Sequence, residues 1–197
     1  PGNSLVLNID HDLQVKLYDE VFAVLRESGL SRAAAVIQDP RDGSVRALVS
    51  FPDFDNNIFS SNVSEGDYRR LFENKSKPLF NRVTSGLYNP GSTIKPLVGM
   101  VGLQEKIMAP GDTVEDCVDI TIPNPYDPSN PYVFKNWRAE YGQFNLRRSI
   151  ANSCNIYFFT VGGGFGNIKG LGAERLIKYF NSSAITSILG IDIPGEE

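Results

Sequence analysis

Apolar residues at Leu13, Leu17, Val21, Val24 and Leu25 recur at three- and four-residue intervals, behind Asp10 and ahead of Gly29. Aspartate caps helix starts and glycine suits the left-handed residue that ends them, so this spacing predicts an amphipathic helix. A short apolar run over residues 5–9, before it, suits a strand. Residues 33–38 and 44–51 carry small and β-branched side chains around Asp39-Pro40-Arg41-Asp42-Gly43, which predicts a β-hairpin. Residues 51–63 read as loop, and Ser64 with Asp67 three positions on caps a helix reaching about Phe72. No period is visible over 75–91. Ile94, Leu97, Val98 and Val101 then share one helical stripe, while Gly99 and Gly102 remove bulk where another element could approach, so a buried central helix is expected. Pro110-Gly111 stops it. Prolines at 123, 125, 128 and 131 exclude an interior helix or central strand and predict a surface excursion. Three more helices are expected at 146–151, 155–161 and 173–180.

With 197 residues, 41% hydrophobic and 21% charged, the chain is too apolar for general disorder and long enough for one large domain or two small ones. No linker divides it, so residues 1–197 are read as one portion of a domain. A net charge of -4 supplies no basic field and argues against nucleic acid as a partner. His11, Cys117 and Cys154 cannot assemble a cysteine–histidine zinc site, and no metal or other cofactor is expected. The two cysteines could be a disulfide or two buried thiols; the tendency of unpaired cysteines to be buried favours thiols. No apolar run reaches the length of a membrane span, and Pro1-Gly2-Asn3-Ser4 lacks the parts of a signal peptide. The absent initiator methionine suggests an excised segment, so an anchor is expected upstream if there is one.

The sharpest chemical feature is Tyr88-Asn89-Pro90-Gly91-Ser92-Thr93-Ile94-Lys95-Pro96. Pro-Gly delivers the chain into a helix whose first turn holds Ser92 and Lys95, one turn apart, so an amine desolvated by burial can accept the hydroxyl proton. The helix start also favours an oxyanion on a bound acyl group. Ser-x-x-Lys alone is common on surfaces. Ser153-Cys154-Asn155, a polar turn between two apolar helical stretches, adds a second hydroxyl and an amide, although by itself it also reads as an ordinary cap. Gly162-Gly163-Gly164-Phe165-Gly166 has no Gly-Lys-Ser/Thr ending and is read as a helix terminus, not a phosphate loop.

In these two motifs the chain resembles the transpeptidase domain of the monofunctional, class B penicillin-binding proteins, most of all their elongation-type branch; Ser-x-x-Lys, Ser-x-Asn and Lys-Thr-Gly mark the superfamily. The similarity includes Asp39-Pro40, Gly43 and Val45, then Ser50-Phe51-Pro52-Asp53-Phe54-Asp55-Asn56-Asn57 and Pro78-Leu79-Phe80-Asn81-Arg82. It continues through residues 90–96, Gly142, Leu146, residues 150–158 and Gly190-Ile191-Asp192-Ile193-Pro194-Gly195-Glu196. The resemblance implies an α/β (α+β) penicillin-binding or serine β-lactamase-like fold, an antiparallel sheet flanked by helices. Lys-Ser/Thr-Gly occurs nowhere in these residues, so the chain is expected to be the N-terminal part of the domain, incomplete without later strands and inactive alone. Cys154 is read as a packing residue.

The same resemblance implies peptidoglycan D,D-transpeptidation through a serine acyl-enzyme. Ser92 is then the nucleophile, Lys95 the base, Ser153 the proton relay, and Asn155 the residue that orients Lys95 and the donor amide. Implied partners are peptidoglycan stem peptides, β-lactam antibiotics, the missing C-terminal part of the domain and a membrane glycosyltransferase of the elongation machinery. The implied location is the outer face of the bacterial cytoplasmic membrane. The alternatives are a β-lactam-sensing receptor or non-catalytic scaffold, and a serine β-lactamase.

Overall fold

The computed structural model describes residues 4–60, 62–193 and 195. Of the segments named above, Pro1, Gly2, Asn3, Ser61, Pro194, Glu196 and Glu197 lie outside the described residues. The chain divides into two compact units, Pro1–Tyr88 with Gly190–Glu197, and Asn89–Leu189.

In the first unit α1 (His11–Ser28) begins where the Asp10 carboxylate accepts the Leu13 N–H at 3.0 Å and ends at Gly29, whose φ of 68° is left-handed. Its apolar stripe, Leu17, Tyr18, Val21 and Leu25, packs on Val49 and Phe51 of β2 (Val45–Phe51) and on Ala33 and Ala35 of β1 (Ala33–Gln38). The strands pair antiparallel from Ala33↔Phe51 to Gln38↔Val45, closing the expected hairpin. The start of α1 occupies the outer edge of β2. Gln14 donates from Nε2 to Leu48 O at 3.0 Å and accepts from Leu48 N at 2.8 Å, and Asp10 N donates to Arg46 O at 2.9 Å. β1 has no second strand beside it among the described residues. The expected strand over residues 5–9 is absent: Leu5, Val6 and Leu7 are exposed, and a lone apolar run without a ladder partner cannot hold strand geometry. α2 (Glu65–Phe72) follows its Ser64 cap as anticipated.

In the second unit a 3₁₀ turn, Gly91–Ile94, leads into α3 (Lys95–Gln104). Ser92 therefore stands on the tighter turn and Lys95 on the first residue of the α-helix, not both within one α-helical turn as expected. α3 is the central helix, with Val98, Gly99, Val101 and Gly102 buried. It packs on α4 (Leu146–Ala151) and α5 (Asn155–Gly163), and β3 (Val114–Ile122) and β4 (Tyr132–Phe144) close the same core against α5, with Ile120, Phe144, Ile156, Tyr157 and Val161 among its buried residues. α6 (Gly172–Ser182) adds Leu176, Tyr179 and Phe180 to this core. The glycines act as expected: a Cβ on Gly99 would lie 2.5 Å from Leu146 Cδ1, and one on Gly102 2.6 Å from Val161 Cγ1. Leucine can swing aside, whereas valine is stiff at χ1. Gly102→Val is therefore expected to destabilise the protein by about 1–3 kcal/mol through overpacking, read as a lowered denaturant midpoint at unchanged slope.

β3 and β4 form a second, separate antiparallel pair, Val114↔Phe144 to Ile122↔Tyr132, joined by the exposed proline-rich segment 123–131. Among the described residues the strands form two small antiparallel sheets, within the α/β fold that the resemblance implied. The favoured reading of the cysteines as free thiols is overturned. Cys117 of β3 and Cys154, each fully buried, form a disulfide with Cα atoms 5.8 Å apart. Their separation of 37 residues concealed this, because only the return of β4 and α4 brings them together. A cross-link closing such a loop stabilises by roughly 3–4 kcal/mol in the chain-entropy account. No helix among the described residues is long and apolar enough to cross a membrane.

Candidate active site

All four residues singled out from the two motifs meet in the second unit. Ser92 stands exposed on the 3₁₀ turn, which Gly91 enters at a φ of 56° that favours glycine. Lys95 points inward and is 9% exposed. Opposite them α4 ends, and Cys154 N donates to Ser149 O at 2.9 Å while Ser153 N donates to Ile150 O at 3.2 Å, closing the turn before α5. Ser153 takes a φ of 53°, a left-handed conformation that costs a non-glycine residue roughly 1–2 kcal/mol and persists only where its surroundings hold it.

The side chains form one hydrogen-bonded chain. Lys95 Nζ donates to Asn155 Oδ1 at 2.6 Å, to Ser153 O at 2.7 Å and to Ser153 Oγ at 3.0 Å. Ser153 Oγ donates in turn to Ser92 Oγ at 2.9 Å. Lys95 thus reaches Ser92 through Ser153. Burial pushes the Lys95 ammonium below its ordinary pKa of 10.5, and no carboxylate pairs with it among the described residues. Phe158 presents its ring 5.5 Å from Nζ, which favours the cation, but desolvation prevails.

The three acceptors around Nζ match an ammonium, and the same site also accommodates the neutral amine. Two of the three partners, Ser153 O and Asn155 Oδ1, can only accept, and they take the two N–H bonds of an uncharged lysine. Its lone pair then faces the Ser153 hydroxyl. In that state the chain of hydrogen bonds reverses, Ser92 donating to Ser153 and Ser153 to Lys95, which makes Ser92 Oγ a nucleophile. Thr93, the neighbouring hydroxyl, is engaged elsewhere and donates to Pro90 O at 2.6 Å.

Residues that the sequence reading missed come from β4. Asn136 Oδ1 accepts the Asn155 N–H at 2.9 Å, while its Nδ2 donates to Cys117 O at 3.1 Å and to Arg138 O at 2.6 Å. Asn155 Nδ2 donates to Lys135 O at 3.5 Å, which turns Oδ1 toward Lys95. Trp137 Nε1 donates to Asn152 O at 3.2 Å. The aromatic and β-branched residues Tyr132, Val133, Phe134 and Trp137, the last the chain's single tryptophan, were the available signal for this strand. His11, expected to be exposed in a first helical turn, is so. The 162–166 glycine run ends α5, with Gly164 at a φ of 88°.

The chain is similar to known proteins along its length. Over 196 residues the chain is 32% identical to peptidoglycan D,D-transpeptidase MrdA of Haemophilus influenzae, a match covering 99% of this chain and 27% of that protein. It is 31% identical over 197 residues to MrdA of Escherichia coli K12, covering 99% of this chain and 28% of the relative. The chain therefore spans little more than a quarter of the length of these curated relatives. Among solved structures it resembles Pseudomonas aeruginosa PBP2, solved in complex with WCK 5153, at a TM-score of 0.77 and 31% identity, covering 100% of this chain and 41% of that one. Helicobacter pylori PBP2, solved in complex with MreC, shares the fold at a TM-score of 0.75 and 24% identity, covering 92% of this chain and 31% of that one. The family described as penicillin binding protein transpeptidase domain matches residues 33–197. The chain belongs to the penicillin-binding protein transpeptidase domain family.

Proposed function

We propose that this chain carries the nucleophile, base and relay of a peptidoglycan D,D-transpeptidase. The observation that supports this most is the unbroken path from exposed Ser92 Oγ through Ser153 Oγ to buried Lys95 Nζ. Ser92 attacks the penultimate D-Ala carbonyl of a stem peptide as its proton passes through Ser153 to Lys95. The tetrahedral intermediate collapses, the C–N bond breaks, and the proton returns along the same path to the departing D-Ala amine. A neighbouring stem's amine then attacks the acyl-Ser92 ester, gives up a proton through the same groups and leaves Ser92 free, so that one amide replaces another. Asn155 holds Lys95 and aligns the donor amide. β-Lactams acylate the same hydroxyl because their strained amide mimics D-Ala-D-Ala.

Completion of the site by a Lys-Ser/Thr-Gly strand from outside these 197 residues belongs to the same proposal, with this chain as the N-terminal portion of the domain. Within the first unit the edge open to a further strand is that of β1, since the outer edge of β2 is engaged by Gln14 and Asp10. Placement on the outer face of the cytoplasmic membrane, beside a glycosyltransferase, rests on the family and is supported by the Cys117–Cys154 disulfide, which suits an oxidising compartment.

The test supplies the intact protein with lipid-linked donor and a glycosyltransferase, and assays cross-linked stems. Cross-links that vanish with penicillin are expected. A chromogenic cephalosporin run alongside should be consumed to one equivalent; sustained turnover would make the protein a β-lactamase, and a single equivalent without cross-links would make it a sensor or scaffold.

A further inference from the structure

Strand β3 is distorted where it meets the active-site turn. Its pairing with β4 shifts register on both sides of Cys117, between Glu115 and Cys117 and again between Cys117 and Asp119. Asp116 takes a left-handed φ of 53° and accepts the Gly142 N–H at 2.6 Å. Ser153, the residue before the other half of the disulfide, also has a φ of 53°. Each half-cystine is thus preceded by a non-glycine residue in a conformation that its surroundings must enforce, and bulges of this kind re-aim side chains beside active sites.

Two independent ties join the same two places. One is the covalent bond from Cys117 to Cys154. The other is Asn136, whose amide donates to Cys117 O at 3.1 Å and accepts from Asn155 N at 2.9 Å. Together they fix residues 154 and 155 on β3 and leave Ser153, between this anchor and the end of α4, no room to leave its left-handed state. Ser153 in that state directs its Oγ to Ser92, and its carbonyl oxygen, with Asn155 Oδ1, to Lys95.

We propose that Cys117, Cys154 and Asn136 form a positioning clamp that sets the geometry of the Ser153–Asn155 turn, and through it the rate of Ser92 acylation. None of the three touches Ser92 or Lys95 in a hydrogen bond among the described residues; they act through Ser153 and Asn155. The proposal rests on the transpeptidase reading for its rate effect, but not for its structural effect. A mere cross-link would raise global stability and leave the chemistry untouched once the protein is folded. A clamp controls the acylation step itself, where misplacement of a catalytic group by about 1 Å costs on the order of 100-fold.

The test uses the intact protein with Asn136→Ala, Asn136→Asp and the Cys117→Ala/Cys154→Ala pair. Stopped-flow acylation by a fluorescent penicillin separates the acylation rate constant from the preceding affinity. Hydrogen exchange reports the Cys154 and Asn155 amides. We expect Asn136→Ala to slow acylation by about 10–100-fold with affinity held within about threefold. Asn136→Asp keeps the acceptor for Asn155 N–H but sets an acceptor-only oxygen against Cys117 O and Arg138 O, so it breaks the tie to β3 and should recover little of that loss. Exchange of the Cys154 amide in Asn136→Ala, and of the Asn155 amide in the cysteine pair, should rise at least about tenfold while α3 stays protected. If the cysteine pair fails to fold, the Asn136 variants decide alone. An unchanged acylation rate in Asn136→Ala overturns the clamp, as does a loss of affinity in proportion to rate. Should the unaltered protein not be acylated at all, the transpeptidase reading fails, and exchange alone judges the clamp: a rise confined to the turn sustains it and unchanged protection removes it.

Discussion

Ser92→Ala is expected to abolish covalent labelling of the intact protein by penicillin, lowering adduct formation at least about 10⁴-fold with the fold preserved. The size of the effect follows from the absence of a substitute. Thr93 is turned to Pro90 O, and Ser153, the other nearby hydroxyl, is held by Lys95 and occupies the relay position. Alanine leaves the fold intact because Ser92 is exposed on a 3₁₀ turn and, among the described residues, only the relay hydroxyl bonds its side chain, so the melting temperature should stay within the small range of surface substitutions. Intact-mass spectrometry reads the outcome directly. A stoichiometric adduct on the alanine variant would place the nucleophile elsewhere and end the proposed mechanism.

Lys95→Arg is expected to be the next most damaging change, lowering acylation by about 10²–10⁴-fold while keeping a cation in the site. The base must be uncharged to accept the proton that Ser153 passes on, and a guanidinium stays protonated at any useful pH. In the unaltered protein acylation should rise with pH through the Lys95 pKa and level off below 10.5, because burial pushes that pKa down. The sign for stability is the same. Since the folded pKa lies below the unfolded one, the unfolded chain binds more protons between the two values. Lys95 therefore penalises the fold fully below its lowered pKa, and the penalty is relieved as pH rises toward 10.5. A rate profile centred at or above 10.5, or near-normal acylation in Lys95→Arg, would remove Lys95 from the role of base.

Local chemistry made much of this protein legible in advance. Asp10 and Gly29 bracket α1, Asp39 to Gly43 close the hairpin, and Ser64 starts α2, because caps and turns act over a few residues and need no distant partner. The stripe of α3 with its two glycines announced close neighbours, and α4 and α5 are those neighbours. Each of the motifs holding Ser92, Lys95, Ser153 and Asn155 is local in sequence but ordinary by itself, and it was the resemblance of the two together to a known family that made these residues nameable. Tertiary structure alone decided what depends on distant pairing. Residues 5–9 look like a strand but find no ladder, while β3 and β4 went unseen behind a proline-rich connection and exist because each supplies the other's hydrogen bonds. The disulfide and the Asn136 bridge were equally hidden, for no local rule links residue 117 to 154 or 136 to 155; the return of β4 along β3 and the packing of α5 on both strands put them in contact. Burial of Lys95 has the same origin, since desolvation is a property of the packed unit around the amine and not of the residues beside it in the chain.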